Sequence, residues 1–201
     1  MQVEEKLDLH RFLLFERRVQ IKQYAIELFF NEEMEKTLFR YAERIAEEKL
    51  STKYLEWKTR PHISLACFND IDEKECMERL QRFAREQPPL PAHIGSVGMF
   101  TDTKTIFASP IMTSSMYELQ RKVHAAFSDC DTKGQEWYFP DRWVPHCGLA
   151  MMGEDAEEDF FKACELVLRD FQKVNGQFCS IGLVRVTFPV EELFVAELTG
   201  E

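Results

Sequence analysis

Two histidines stand in closely similar surroundings, and together they could transfer protons. Residues 60–66 have the sequence Arg-Pro-His-Ile-Ser-Leu-Ala, and residues 144–150 have the sequence Val-Pro-His-Cys-Gly-Leu-Ala. Imidazole titrates near pH 6.5, so His62 and His146 could be in different protonation states near neutral pH. One could then take a proton from an attacking water or hydroxyl while the other gives a proton to a leaving oxygen. A phosphate held by hydroxyl donors would fit between them, and this scheme requires no metal.

Strand alternation predicts where the side chains of the two stretches point. Both stretches have the apolar character of a buried strand, in which residues i and i+2 share a face. His62 and Ser64 should therefore point to one side. His146 and Gly148 should do the same in the second stretch, while Cys147 should point into the core. This orientation argues against a zinc site or a cysteine nucleophile built from Cys147 and the histidines.

The second stretch lacks the hydroxyl that Ser64 supplies in the first, because Gly148 holds the equivalent position. A hydrogen bond to a charged group contributes about 1.5–3 kcal/mol. Its loss would lower the reaction rate roughly 10- to 100-fold. The Gly148 amide or a loop group could compensate, as could one of three nearby cations, Lys58, Arg60 and Arg142.

Large aromatic side chains flank both histidine stretches. Such side chains can stack on a nucleobase, although ordinary packing is the simpler expectation for each, and above all for Trp143. The long segment 128–142 offers the best stacking candidates, Tyr138 and Trp137. The complete aromatic set near the two stretches is Tyr54, Trp57, Trp137, Tyr138 and Trp143. His93 and His124 lack a companion motif, so structural or surface roles are expected for them.

Hydrophobic periodicity and capping residues predict an alternation of strands and helices that repeats in the two halves of the chain. The first half is predicted as strand 24–30, helix 31–49 with Asn31 as N-cap, strand 61–68, a helix that begins at Asp70 or Asp72 and ends before Pro88, and strand 91–98. The second half is predicted as strand 105–110, a helix capped by Thr113, Ser114 or Ser115, strand 144–151, helix 154–173, and strands 178–187 and 191–198.

This repetition predicts an α+β fold with two pseudo-symmetric lobes, 23–100 and 101–201, around a central cleft. Each lobe would contain an antiparallel sheet and helices, and the two would form a single domain. Residues 1–22 are charge-dense and are predicted to form a helical extension.

Composition limits the function classes. The 201 residues are 45% hydrophobic, which is typical of a packed domain, and the formal net charge is −10. That charge disfavours a protein that grips long duplex nucleic acid. Six cysteines without a CxxC pair predict reduced thiols in a cytoplasmic protein. No signal peptide or apolar run of membrane-spanning length is recognisable, so no membrane partner is expected.

The paired Pro-His-x-Ser/Thr-Leu pattern resembles the two-histidine (2H) phosphoesterases, which include bacterial 2′-5′ RNA ligase-like proteins and cyclic phosphodiesterases. The resemblance covers roughly residues 23–201 and is specific at the two stretches. It implies a bilobal α+β fold that acts, without metal or other cofactor, on a 2′,3′-cyclic phosphate or a 2′-5′ linkage. The implied partner is a nucleotide or an RNA end.

By this resemblance His62 and His146 would be the two catalytic histidines, and Ser64 the phosphate-binding hydroxyl of the first motif. Gly148 departs from the pattern, since the family usually has Ser or Thr there. Arg60, Arg142 and Tyr138 are further candidates for binding phosphate or substrate. Two alternatives stay open: a nucleotide-binding or RNA-end-binding module without useful turnover, and a structural protein in which both histidines are buried.

Overall fold

The computed structural model describes residues 23–153 and 156–201. The predicted helical extension 1–22 lies outside the described residues, as do residues 154 and 155 at the predicted start of the last long helix. No helix in the described ranges is both long enough and apolar enough to cross a membrane.

The described chain folds into seven strands and five α-helices. The strands are β1 (Tyr24–Phe30), β2 (His62–Phe68), β3 (Leu90–Phe100), β4 (Thr105–Pro110), β5 (Cys147–Met151), β6 (Val174–Arg185) and β7 (Glu191–Glu197). The helices are α1 (Glu32–Glu47), α2 (Lys53–Glu56), α3 (Glu73–Arg85), α4 (Ser114–Ala126) and α5 (Glu157–Asp170). A short 3₁₀ helix, Glu136–Tyr138, lies in the segment before β5.

The strands form one antiparallel sheet in the order β2-β1-β6-β3-β4-β5, in which β6 is shared by two halves. The first part of β6, residues 174–178, pairs with β3. Its remainder pairs with β1 on one side and with β7 on the other. The predicted α+β, two-lobed fold is confirmed, with the sheets predicted for the two lobes joined through β6 into one. Strand pairing crosses the predicted lobe boundary near residue 100, however. Strand β3 of the first half pairs with β4 of the second half, whereas β6 of the second half pairs with β1 of the first.

One face of the sheet packs on the helices and holds the main core. In β2 the buried residues Ile63 and Leu65 belong to this core, and in β5 Cys147 and Leu149 do. Helix α1 buries the residues at the predicted helical spacing, Met34, Leu38, Tyr41, Ala42 and Ile45. The opposite face of β1, β2 and β6 carries a separate small apolar cluster, Ala25, Phe29, Cys67 and Val184. We call this opposite side the site face.

Two of the predicted helix caps are confirmed, and one predicted cap acts differently. The Asp72 carboxylate accepts a hydrogen bond from the Glu75 amide, and the Thr113 hydroxyl accepts one from the Met116 amide. Asn31 stands at the N-cap position of α1, but its side chain makes no capping bond. Its Oδ1 accepts instead from the backbone N–H of Gln177, 2.9 Å away, and so ties the start of α1 to β6.

The predicted strand 144–151 begins later than expected, at Cys147. In the register of β4 and β5, Ala108 lies opposite Cys147. Continuing that register would bring Pro145 opposite Pro110, and neither proline has an N–H to donate. His146 therefore stands immediately before β5.

Candidate active site

The two histidines of the repeated stretches are oriented in the same way. Nδ1 of His62 lies 2.6 Å from the carbonyl oxygen of Arg60, and Nδ1 of His146 lies 2.7 Å from that of Val144. A carbonyl oxygen can only accept a hydrogen bond, so Nδ1 carries the proton in both rings. Nε2 is then the atom that can take up or release a proton, and each ring is held by the carbonyl two residues before it.

The surroundings of both imidazoles favour their neutral forms. Burial lowers the pKa of His146, and the charge of His62 lowers it further. Burial also lowers the pKa of His62. The ring of His146 is enclosed by Phe100, whose ring centroid is 4.9 Å away in an edge-on arrangement, and by Phe107 at 5.4 Å. Apolar walls of this kind favour the neutral form of an imidazole.

A buried carboxyl group contacts the first histidine. Glu27 lies opposite Ser64 in the register of β1 and β2, so both face the same side. Its Oε1 is 3.3 Å from Nε2 of His62. Burial raises the pKa of Glu27 well above the usual value, and the negative charge of Glu192 raises it further. Burial thus favours the neutral form of both side chains of this pair.

The two arginines predicted near phosphate are placed very differently. The Arg60 guanidinium donates to Glu35 from Nε at 2.9 Å, and it lies 3.5 Å from a carboxylate oxygen of Glu192. It also stacks 4.1 Å from the ring centroid of Phe29 on the site face. Its charge is thus already balanced by two carboxylates. Arg142 is exposed, and its side chain has no hydrogen-bonding or ionic partner among the described residues.

The aromatic residues of segment 128–142 divide into a packed side chain and an exposed one. Tyr138 packs on the small apolar cluster of the site face, and Cys67 and burial raise the pKa of its hydroxyl. Trp137 is 74% exposed. Trp143, for which packing was expected, is buried and donates from Nε1 to the carbonyl oxygen of Ser64 at 2.9 Å. It therefore holds β2 in position.

The position beside Gly148 is occupied by Tyr54. An ideal β-carbon built on residue 148 would lie 2.5 Å from Cζ and 2.9 Å from Cε1 of Tyr54, and closer still to the hydroxyl oxygen. Real β-carbons essentially never approach other atoms within 3.0 Å. Residue 148 therefore has to be glycine while Tyr54 holds this position.

Comparison with known proteins identifies the family. Residues 34–195, which are most of the chain, match the family model of the 2′-5′ RNA ligase superfamily. The chain belongs to this superfamily. The expectation drawn from the two Pro-His stretches, a two-histidine phosphoesterase relationship, is thereby confirmed.

Solved structures share the fold of this superfamily member at low sequence identity. TT0787 of Thermus thermophilus is 18% identical, with a TM-score of 0.55 over 89% of this chain and 99% of that chain. E. coli LigT complexed with NADP+ is 12% identical, with a TM-score of 0.52 over 89% of this chain and 98% of that one. E. coli LigT complexed with phosphate is 10% identical, with a TM-score of 0.51 over the same shares. No curated protein sequence gives a significant match.

Two residues of this superfamily member that contact the histidine motifs, Glu27 and Tyr54, were not among the predicted site residues. Glu27 could have been noticed, since it is the one charged residue in the apolar run of β1, all of which is buried. Tyr54 was identified only as a flanking aromatic side chain. Nothing local to its sequence indicates that it lies over Gly148.

His93 and His124 lie in structural contacts. Nδ1 of His93 is 2.8 Å from Oδ1 of Asn175, and Nε2 of His124 is 3.1 Å from the carbonyl oxygen of Leu65. Within residues 23–153 and 156–201, no three His, Cys, Asp or Glu side chains converge in a way that could hold a metal ion.

Proposed function

We propose that this superfamily member is a cytoplasmic phosphoesterase that opens a 2′,3′-cyclic phosphate or cleaves a 2′-5′ phosphodiester in a nucleotide or at an RNA end. His62 and His146 form its acid–base pair, without a metal. The observation that carries the proposal is the matched orientation of the two rings, in which a backbone carbonyl holds each Nδ1 and leaves Nε2 for proton transfer.

The reaction follows from that orientation. Nε2 of one neutral histidine accepts a proton from the attacking water or hydroxyl, which forms a bond to phosphorus. Nε2 of the other, protonated histidine gives its proton to the ester oxygen as the bond from that oxygen to phosphorus breaks. Burial favours the neutral form in both rings, as the lowered pKa values indicate. A bound phosphate anion opposes this effect and favours protonation of the acid.

Several groups near the motifs are proposed to bind the substrate. Ser64 offers a hydroxyl on the histidine side of β2, and Gly148 offers its backbone amide. Arg142, exposed and without a partner among the described residues, can turn its charge toward a phosphate or an RNA end. Arg60 would bind phosphate while it stays paired with Glu35 and Glu192, and Tyr138 would contribute an aromatic surface for a nucleobase. Relatives with this fold have been solved with phosphate and with ATP, which is compatible with a nucleotide ligand.

The test is hydrolysis of 2′,3′-cyclic AMP and of a 2′-5′-linked diadenylate by the purified protein in the presence of a chelator. We expect turnover by the wild type. Loss of one acid or base is expected to lower kcat roughly 100- to 10,000-fold in His62→Ala and in His146→Ala. His93→Ala is the matched control and should retain full activity. Binding of these compounds without turnover would instead identify a nucleotide-binding module.

A further inference from the structure

The second histidine motif lacks a side chain at residue 148, yet a hydroxyl group is present at that point. The atom nearest to the position of the absent β-carbon is the phenolic oxygen of Tyr54. Gly148 lies two residues after His146, as Ser64 lies two residues after His62. Each motif therefore has a hydroxyl group next to the second residue after its histidine. In the first motif the strand itself supplies this hydroxyl, and in the second motif α2 supplies it.

The hydroxyl of Tyr54 lies on the same side of β5 as His146. Gly148 pairs with Phe107 of β4, and paired residues of an antiparallel sheet point to the same face. The ring of Phe107 contacts the ring of His146. The missing side chain of residue 148, and Tyr54 in its place, therefore belong to the face on which His146 lies.

Two hydrogen bonds tie the segment that carries Tyr54 to the last residue of β5 and to the residue after it. The Ser51 hydroxyl donates to the carbonyl oxygen of Met151 at 2.7 Å, and the Lys53 ammonium donates to that of Met152 at 3.0 Å. The Tyr54 ring also lies against Trp57, with 6.1 Å between their centroids. This anchoring fixes the phenol relative to β5, so that the hydroxyl is positioned before a ligand binds.

The hydroxyl is in a state suited to donation. Burial raises the pKa of Tyr54, so the phenol keeps its proton throughout the physiological pH range. Among the described residues, the Tyr54 hydroxyl has no hydrogen-bond partner. A phosphate oxygen would be a suitable acceptor.

We infer that the Tyr54 hydroxyl donates the hydrogen bond to the substrate phosphate in the second motif, in the place of a side-chain hydroxyl at residue 148. This inference rests on the proposed phosphoesterase function. It makes Tyr54 a residue that contacts the substrate, and it explains Gly148 as the residue that leaves room for it.

The first test is Tyr54→Phe, which removes the hydroxyl and keeps the ring. A lost hydrogen bond to a charged group is expected to lower kcat/KM for 2′,3′-cyclic AMP about 10- to 100-fold and to weaken binding of inorganic phosphate. Tyr117→Phe is the matched control and should change neither quantity. Unchanged kcat/KM and unchanged phosphate affinity in Tyr54→Phe would overturn the inference.

The second test exchanges the source of the hydroxyl. Gly148→Ser alone should lower activity, because the new side chain and Tyr54 compete for one position. In a Tyr54→Ala background the same substitution should raise kcat/KM above that of Tyr54→Ala alone. A Gly148→Ser substitution with the same effect in both backgrounds would contradict the shared position.

The two proposals fail in distinguishable ways. A wild type that hydrolyses no cyclic or 2′-5′ substrate overturns the phosphoesterase function. Tyr54 is then judged by inorganic phosphate binding alone, with weaker binding by Tyr54→Phe supporting its role and equal binding overturning it. Wild-type turnover that requires both histidines but is unaffected by Tyr54→Phe overturns the inference about Tyr54 alone.

Discussion

Nε2 of His62 lies 3.3 Å from Oε1 of Glu27, so the atom proposed to exchange a proton with the substrate already has a buried partner. Burial raises the pKa of the Glu27 carboxyl and lowers the pKa of the His62 imidazole, so both shifts favour the neutral forms. Both side chains of this pair are therefore expected to be neutral before a substrate binds. The ring of His146 lies against two aromatic rings and has no such carboxyl partner among the described residues, which makes the two motifs chemically unequal.

Glu27→Gln should reduce the dependence of stability on pH. Burial raises the pKa of Glu27 above its value in the unfolded chain, so the unfolded carboxyl ionises first as pH rises. The associated stability is present below the unfolded pKa and is lost as pH rises through the folded pKa. We expect Glu27→Gln to gain thermal stability relative to wild type between pH 5 and pH 8, measured by thermal unfolding.

The matched control is Glu33→Gln on the exposed side of α1, which should leave the difference in Tm between the two pH values unchanged. If Glu27→Gln and wild type lose the same stability between pH 5 and pH 8, the carboxyl does not remain protonated on folding.

The pH optimum of kcat/KM should lie on the acid side of pH 6.5. Burial lowers the pKa of both His62 and His146. The base therefore stays neutral down to a lower pH, and the acid loses its proton at a lower pH. Both limbs of the bell-shaped pH profile of kcat/KM move to lower pH as a result. Because kcat/KM reports the free enzyme, steady-state rates with 2′,3′-cyclic AMP at low substrate concentration measure this shift. An optimum at pH 8 would mean that other groups control the two limbs.

Arg60→Gln and Arg142→Gln should have different effects, because Arg60 stabilises the fold and Arg142 is proposed to bind the substrate. Removing the Arg60 guanidinium leaves Glu35 and Glu192 without their shared cation, and an uncompensated partly buried charge costs about 1–3 kcal/mol. Chemical denaturation should therefore show reduced stability for Arg60→Gln. Arg142→Gln should unfold like wild type and raise KM. The reverse pattern would assign the binding role to Arg60.

The sequence by itself determined the features that depend on neighbouring residues. Strand periodicity predicted that Cys147 points into the core, and side-chain chemistry identified Asp72 and Thr113 as N-caps. The two Pro-His stretches also predicted the family. These features follow from local geometry, because the face of a strand and the first turn of a helix are set within a few residues.

Only the tertiary structure decided which distant groups complete the site. Glu27 meets His62 because β1 and β2 pair in one register, which shifts at a bulge between Ile26 and Glu27. Glu192 reaches Arg60 from β7, which pairs with β6 after the chain returns to the first half of the sheet. Tyr54 meets Gly148 because two hydrogen bonds anchor its segment to the end of β5. Register, strand order and loop anchoring are properties of the whole fold, so no local pattern in the sequence encodes them.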